Sequence, residues 1–169
     1  MIKTAVIGPE EITVSYDDTQ FEVMTEFDGE YNYLRWIGEG APVNPKGNTY
    51  CDGMFNEYNG EHIDLSKFDV SNVVSMFGMF AHCPKLKSIS MPEGNYRSLE
   101  TISDMIYDCP RLTRVDMGGI DIRRIDEDDI GSIFEDCGRL HTVLVKHGTV
   151  RHWNEYLEGL DGYAVAALR

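Results

Sequence analysis

Cysteine and histidine are the residues of this chain whose chemistry would matter most if they met in one site. His82 directly precedes Cys83, and such a pair could supply a nucleophile and its general base. Neighbours along a strand or turn usually point apart, however, and a thiol in an apolar core has a raised pKa and is unreactive. We therefore predict that the chain is not an enzyme and has no catalytic residues.

Metal binding is the second chemistry to consider. Cys137, His141, His147 and His152 have loose ligand-like spacing, but they lack the tight pairs typical of structural zinc. The acidic run 126–129 lacks the glycine and the terminal glutamate of a calcium loop. We predict neither a metal nor a cofactor, and we expect the acidic run to form a solvated turn or a helix N-terminus.

The elements that would position any site follow from a fourfold repeat. Similar quartets begin at Cys51, Met76, Ile102 and Ile130, at steps of 25, 26 and 28 residues. The three later copies continue to a cysteine, and a leucine follows each cysteine three residues later. Each copy then closes in a short apolar alternation that begins at Ile63, Ile89, Val115 and Val143. A period of this length is typical of repeat proteins whose units share one core.

The repeat predicts an α/β solenoid of about four leucine-rich-repeat-like coils with parallel stacked strands. Met76, Met79 and Phe80 fall at positions i, i+3 and i+4, which predicts a short helical turn in each quartet. The four closing strands should stack with their first apolar residues pointing inward together. Three cysteines occupy one repeat position, which favours reduced, buried structural thiols.

The ends of the chain do not repeat and are expected to act as caps. Residues 1–50 predict a small antiparallel β cap, with strands at 11–16, 21–27 and 31–37 and a turn at Asp28-Gly29. Residues 51–150 would form the solenoid. Residues 151–169 predict a C-terminal helical cap, whose apolar face carries Trp153, Leu157, Leu160 and Ala164, although Gly159 and Gly162 weaken that helix. The whole chain should form one compact domain.

The stretch 63–86 resembles the repeat of the BspA-like leucine-rich-repeat family. The similarity lies in Asp64-Leu65-Ser66, in Phe68-Asp69, in the Met76-Phe77 and Met79-Phe80 pairs, and in Cys83. It is strong in this copy and rests mainly on spacing in the other copies. The resemblance implies a protein that acts by binding, since members are commonly bacterial surface or adhesion proteins. In this chain it suggests a short intracellular version.

The composition of the chain limits the kinds of partner that it can bind. The 29 acids against 15 lysines and arginines give a net charge of −14, which argues against direct binding to nucleic acids or anionic membranes. We expect a non-enzymatic protein-binding module that recognises a basic partner through an acidic repeat surface. The alternative is a phage-type nucleic-acid mimic, comparable to anti-CRISPR or anti-restriction proteins, that blocks a basic site of a host nuclease.

The candidate partner-binding residues are the outward strand positions and the acids near the predicted helical edge. They are Asp64, Asp116, Asp104, Asp108, Asp126, Glu127, Asp128, Asp129, Glu135 and Asp136. The N-terminal aromatics Tyr31, Tyr33 and Trp36 could equally form a contact surface. Because no run of about 18 apolar residues occurs and no secretory signal is recognisable, a cytoplasmic location is expected. The oligomeric state is left open.

Overall fold

The computed structural model describes residues 1–25 and 29–158, together with the backbone of 165–168. The described residues form a small mixed α/β protein with two antiparallel hairpins, one five-stranded parallel sheet and two short α-helices. A continuous core of buried residues runs from the hairpins through the parallel sheet to the last helix.

The N-terminal region folds as two separate hairpins instead of the single antiparallel sheet that we predicted. Strands β1 (Ile2–Ile7) and β2 (Ile12–Asp17) form the first hairpin. Strands β3 (Phe21–Thr25) and β4 (Asn32–Trp36) form the second. The Gly8 N–H donates to the Asn32 carbonyl at 2.8 Å and joins the two hairpins. Of the predicted turn at Asp28-Gly29, Asp28 lies outside the described residues, as does Phe27 of the strand before it.

The parallel sheet contains β5 (His62–Asp64), β6 (Ser88–Ser90), β7 (Arg114–Asp116), β8 (Thr142–Val145) and β9 (Val165–Leu168), paired in that order. The register aligns the repeats, because Ile63 pairs with Ile89, Ile89 with Val115 and Val115 with Val143. All four of these side chains are buried. The repeat therefore sets the register of the first four strands.

The four quartets form hydrogen-bonded turns, and the helical turns that we predicted there are wrong. We call the segments 51–57, 76–82, 102–108 and 130–136 the stacked turns. Each contains two residues with positive φ, such as Gly78 at 57° and His82 at 55° in the second segment. A left-handed residue ends a right-handed helix, so the apolar i, i+3, i+4 spacing is produced here by a turn. The α-helix that does occur near the fourth quartet, α1 (Glu127–Ile130), precedes that segment and overlaps it by one residue.

Main-chain hydrogen bonds hold the stacked turns together. The N–H groups of Glu57, His82 and Asp108 donate to carbonyls of the next turn at 2.9, 2.9 and 3.0 Å. These bonds replace the intra-helical ones that leucine-rich-repeat coils would require. The predicted α/β solenoid of leucine-rich-repeat-like coils is therefore wrong, and the mixed α/β arrangement with two hairpins takes its place.

The C-terminal region also differs from the predicted helical cap. Helix α2 (Val150–Glu158) buries Trp153 and Leu157 as the apolar face predicted. The chain then contributes β9, whose backbone pairs in parallel with β8 from Thr142↔Val165 onward. The predicted positions Leu160 and Ala164, with Gly159 and Gly162, lie outside the described residues. The end of the chain thus extends the sheet in addition to supplying a helix.

Candidate functional site

A groove lies between the β3–β4 hairpin and the first two stacked turns. The Trp36 N–H donates to the Met54 carbonyl at 2.7 Å and fixes the end of β4 against the first turn. The ring of Tyr33 rests on Gly53, where an added Cβ would lie 2.8 Å from the ring. The groove has a volume of about 500 Å³. Its lining combines aromatic residues with both signs of charge and includes Tyr31, Tyr33, Arg35, Asp52, Asn56, Glu57, Phe77 and His82.

Asp52 is the buried carboxylate in the wall of this groove, with 6% of its surface exposed. Its oxygens accept hydrogen bonds from the Tyr31 hydroxyl at 3.1 Å, from the Phe77 N–H at 3.2 Å, and from the Ser75 hydroxyl. Burial raises the pKa of Asp52, and these three donors lower it without cancelling the effect of burial. The groove therefore contains a fixed acceptor group whose negative charge is poorly solvated.

The rest of the groove offers further acceptors and exposed apolar surface. The Asn56 Oδ1 atom is buried and has no hydrogen-bond partner among the described residues. Arg35 is already engaged by Glu22 at 2.5 Å, and its second contact, with Glu57, is longer at 3.6 Å. Phe77 leaves 38% of its surface exposed although it is large and apolar. The carboxylates of Asp52 and Glu57 and the Asn56 side-chain carbonyl thus give the groove several acceptors, which suits a ligand that brings donors.

A row of left-handed residues leads away from the groove along the stacked turns. Glu57, His82, Asp108 and Asp136 occupy the same place in the four turns, with φ between 48° and 58°. His82 Nδ1 lies 2.9 Å from the Asp108 carboxylate, and both side chains are about half exposed. Because Glu57 and His82 also line the groove, the row is continuous with it.

Four carboxylates gather around Tyr107 at the far part of this row. We name this surface the acidic edge, and it consists of Asp104, Asp108, Glu135 and Asp136 with Tyr107. The pKa of Tyr107 is raised first by the charge of Asp136, then by burial, and further by the charges of the other three carboxylates. The Tyr107 ring also contacts His82 edge-on, with ring centres 5.3 Å apart. Four acids predicted from the sequence as partner-binding candidates therefore lie together.

The acidic run 126–129 lies around helix α1, apart from the groove. Asp126 caps the helix and accepts from the Asp128 N–H at 3.2 Å, as the helix N-terminus interpretation predicted. The side chains of Asp126, Glu127, Asp128 and Asp129 are exposed. The run also contacts the third stacked turn through its backbone, because the Ile102 N–H donates to the Asp129 carbonyl at 2.9 Å. We keep the name acidic edge for the four carboxylates around Tyr107.

The two strand candidates lie on the parallel sheet, in the row that pairs Asp64 with Ser90 and Ser90 with Asp116. Each carboxylate accepts a hydrogen bond from a main-chain N–H two residues later in its own loop. Asp64 accepts from the Ser66 N–H at 2.9 Å, which lowers its pKa, and Asp116 accepts from the Gly118 N–H at 3.0 Å. Burial nevertheless raises the pKa of Asp116.

The residues considered first for chemistry are separated by the fold. The Cys83 thiol donates to the Phe55 carbonyl at 3.2 Å inside the core, whereas the adjacent His82 side chain is exposed and paired with Asp108. Cys137 is likewise buried. Within the described part of the chain, no group of three or more histidine, cysteine or acidic residues is placed to hold a metal ion.

Sequence reasoning missed most of the groove. It suggested Tyr31, Tyr33 and Trp36 as one contact surface, but Trp36 is buried and packs edge-on against Phe21 with ring centres 5.2 Å apart. Only the two tyrosines line the groove. Asp52 could have been noticed, because it is an acid inside an otherwise apolar first quartet.

No protein-family model matches the chain, and no curated protein or solved structure is significantly similar to it. The resemblance to the BspA-like family therefore stays a prediction. The interpretation as a leucine-rich-repeat protein is wrong, as the turns and hairpins show. The comparisons likewise give no support for a phage or anti-CRISPR function, and that interpretation is withdrawn. None of the described helices is both long and apolar enough to span a bilayer.

Proposed function

We propose that this protein is a non-enzymatic binding module that recognises a basic segment of a partner protein along the acidic edge and the adjoining groove. The observation that carries the proposal is the row Glu57, His82, Asp108 and Asp136, which connects the groove to four carboxylates around Tyr107. A charged rim next to an apolar depression is a common arrangement of protein interfaces.

Charge is the first argument for a basic partner. Among the described residues, the only ion pair of the acidic edge is the His82–Asp108 contact, which is ionic only when the histidine is protonated. The surplus of carboxylates adds to a net charge of −14. Electrostatic attraction of this kind accelerates association with a positive surface and weakens as salt increases.

The groove supplies the second argument, because its chemistry suits a lysine or arginine side chain. Asp52 and Glu57 provide carboxylates, and Tyr31, Tyr33 and Phe77 provide aromatic surface. Cations bind favourably over aromatic faces, and the long apolar stems of lysine and arginine pack on such surfaces. One basic side chain in the groove would anchor a segment whose other charges lie along the acidic edge.

The test measures binding of a labelled peptide rich in lysine and arginine by fluorescence anisotropy. The double variant Asp104→Asn/Asp136→Asn removes two charges from the acidic edge. The matched control Glu127→Gln/Asp128→Asn removes two charges from helix α1. We expect the first variant to weaken binding by about 5- to 20-fold and the control by less than about 2-fold, since each exposed pair contributes about 0.2–1 kcal/mol. Equal losses in both variants would mean non-specific attraction and would contradict the proposal.

The groove is tested separately with Phe77→Ala, which removes an exposed ring, against Val43→Ala, which removes an exposed side chain outside the groove lining. Only Phe77→Ala should weaken binding of the peptide, by about 3- to 10-fold, because the ring would contribute cation–π and apolar contact.

A partner captured through the same residues can then be challenged with duplex DNA. Displacement by DNA would identify the partner's basic surface as a nucleic-acid site, and resistance to DNA would show a different surface.

A further inference from the structure

A basic depression lies in the loops that follow the parallel strands, in a protein that is otherwise strongly acidic. We give the name basic depression to the cavity of about 280 Å³ lined by Gly94, Asn95, Tyr96, Arg97, Gly119, Asp121, Arg124 and Lys146. Its three cations come from three different loops: Arg97 follows β6, Arg124 ends a short 3-10 helix at Ile122–Arg124, and Lys146 directly follows β8. Convergence of three cations is unexpected in a chain with nearly twice as many acids as bases.

The three cations have no compensating carboxylate of their own. Arg97, Arg124 and Lys146 form no ion pair within the described part of the chain. The single carboxylate of the lining, Asp121, is held by the neighbouring Arg123 through Nε at 2.7 Å and Nη2 at 2.5 Å. That contact is the main cause of the lowered pKa of Asp121, to which the charge of Lys146 also contributes. Three positive charges therefore remain around the depression.

The floor of the depression is formed by close contacts between two loops and is not merely a gap between side chains. The Tyr96 hydroxyl is buried and donates to the Pro92 carbonyl at 2.8 Å, which anchors the first loop. The Gly119 N–H donates to the same carbonyl at 3.1 Å, and a Cβ on Gly119 would lie 2.2 Å from the Glu93 carbonyl oxygen. Two loops thus meet at main-chain distance, and their backbone cannot shift without breaking this contact.

Main-chain donors add to the positive character of this floor. Gly94 and Asn95 line the depression, and neither of their N–H groups donates a main-chain hydrogen bond within the described part of the chain. Unpaired backbone N–H groups beside basic side chains are the elements from which proteins build anion sites. Arginine and lysine are the side chains most used to bind phosphoryl oxygens.

From these observations we propose that the basic depression binds a phosphoryl group, either free or as the monoester of a small molecule. Arg97, Arg124 and Lys146 neutralise its charge, and the N–H groups of Gly94 and Asn95 donate to its oxygens. The site is independent of the acidic edge, since none of its residues lines the groove or surrounds Tyr107. It gives the module a second ligand, of opposite charge to the first.

The test is a titration of the whole protein with inorganic phosphate, pyrophosphate and glycerol phosphate, followed by backbone amide NMR at constant ionic strength. Sodium chloride is the reference titration. We expect saturable shifts of the amides of Gly94, Asn95 and Gly119 with the phosphoryl compounds and none with chloride. Saturation by glycerol phosphate at lower concentration than by inorganic phosphate would indicate an ester, and the reverse order would indicate the free ion. Shifts spread over the whole surface, or equal shifts with chloride, would overturn the proposal.

Variants locate the site. Arg124→Gln and Lys146→Gln should each weaken binding by about 2- to 5-fold, which is the range for removing one exposed charge contact. The matched control is Arg139→Gln, which removes an exposed arginine that does not line the depression. All three side chains are exposed, so the fold should be retained, and unfolding curves verify this. If the control weakens binding as much as the other two variants, the depression is not the site.

Discussion

The acidic edge and the basic depression both depend on left-handed backbone, but they use it differently. At the stacked turns, φ near 55° occurs at Gly78, where an added Cβ would meet nothing within 4 Å, and equally at Asp104. Beside the depression, φ is 58° at Gly118, where a Cβ would lie 2.0 Å from the Pro92 carbonyl oxygen. At Gly78 the turn thus requires only a backbone conformation, whereas at Gly118 the loop also requires the absence of a side chain.

This difference explains which backbone positions carry the charged side chains of each surface. A left-handed position that opens to solvent accepts aspartate, glutamate or histidine at a modest cost, and Glu57, His82, Asp108 and Asp136 occupy such positions. The floor of the depression leaves no room for substitution, so its charges stand on neighbouring residues such as Arg97 and Arg124. The two surfaces therefore differ in their tolerance of substitution as well as in the sign of their charge.

The largest effect is expected from alanine at the two glycines. Gly78→Ala adds only the conformational cost of a left-handed alanine and should lower the free energy of unfolding by about 1–2 kcal/mol. Gly118→Ala adds a backbone clash to the same cost and should lower the free energy of unfolding by at least about 3 kcal/mol. Urea denaturation measures both variants. Equal losses would show that the loops are no tighter than the turns.

The next prediction concerns the buried acid on the groove side. Because the pKa of Asp52 in the folded protein is raised above its ordinary value of 3.8, folding favours its protonated form. The contribution of this group to stability is fully present below pH 3.8 and is lost as pH rises through the folded-state pKa. Relative to Asp52→Asn, the wild type should therefore lose stability as pH increases over that window. A difference between the two proteins that is independent of pH would contradict the raised pKa.

Asp121 beside the depression should behave in the opposite way. Its folded-state pKa is lowered, chiefly by the hydrogen bonds of Arg123, so its contribution is present above the ordinary value of 3.8 and is lost as pH falls through the lowered pKa. Relative to Asp121→Asn, the wild type should gain stability with increasing pH in this acidic window. Parallel urea titrations of the two variants measure both slopes, and slopes of the same sign would remove this distinction between the two regions.

The smallest effect is expected from glycine at a solvent-exposed turn position. Asp136 has φ of 57° and is exposed, so Asp136→Gly should relieve strain and stabilise the protein by at most about 1 kcal/mol. The neighbour Glu135 is exposed and lacks a positive φ, so Glu135→Gly should destabilise by about 0.5–1 kcal/mol. Both variants remove one negative charge. Thermal unfolding separates them, and a loss of stability in both would contradict strain at Asp136.

The sequence predicted the interior better than the surface, for a physical reason. The recurrence of Ile63, Ile89, Val115 and Val143 predicted their parallel pairing and burial, because one core is shared by every repeat. The same apolar spacing wrongly predicted a helical turn in each quartet. The pattern at Met76, Met79 and Phe80 does not reveal that Gly78 and His82 are left-handed, and glycine and histidine are compatible with both structures.

The groove and the basic depression could not be predicted at the same level because they depend on contacts between distant residues. The groove exists since a hairpin ending at Trp36 rests on the turn at Met54, and no local pattern specifies that contact. The basic depression requires Arg97, Arg124 and Lys146 to meet across three loops. The acidic edge could be predicted from the sequence, because its carboxylates fall at repeat positions whose stacking follows from the period. They are Asp104, Asp108, Glu135 and Asp136.

The four cysteines allow the opening of the stacked turns to be followed by thiol labelling. One cysteine accompanies each turn, all four thiols are free and buried, and burial raises the pKa of Cys51 well above its ordinary value. Because all four thiols are buried, alkylating reagents do not reach them in the folded molecule, which is protected at every turn. Labelling becomes possible only when a turn separates from its neighbour, so the order in which Cys51, Cys83, Cys109 and Cys137 are modified records the order in which the repeats come apart.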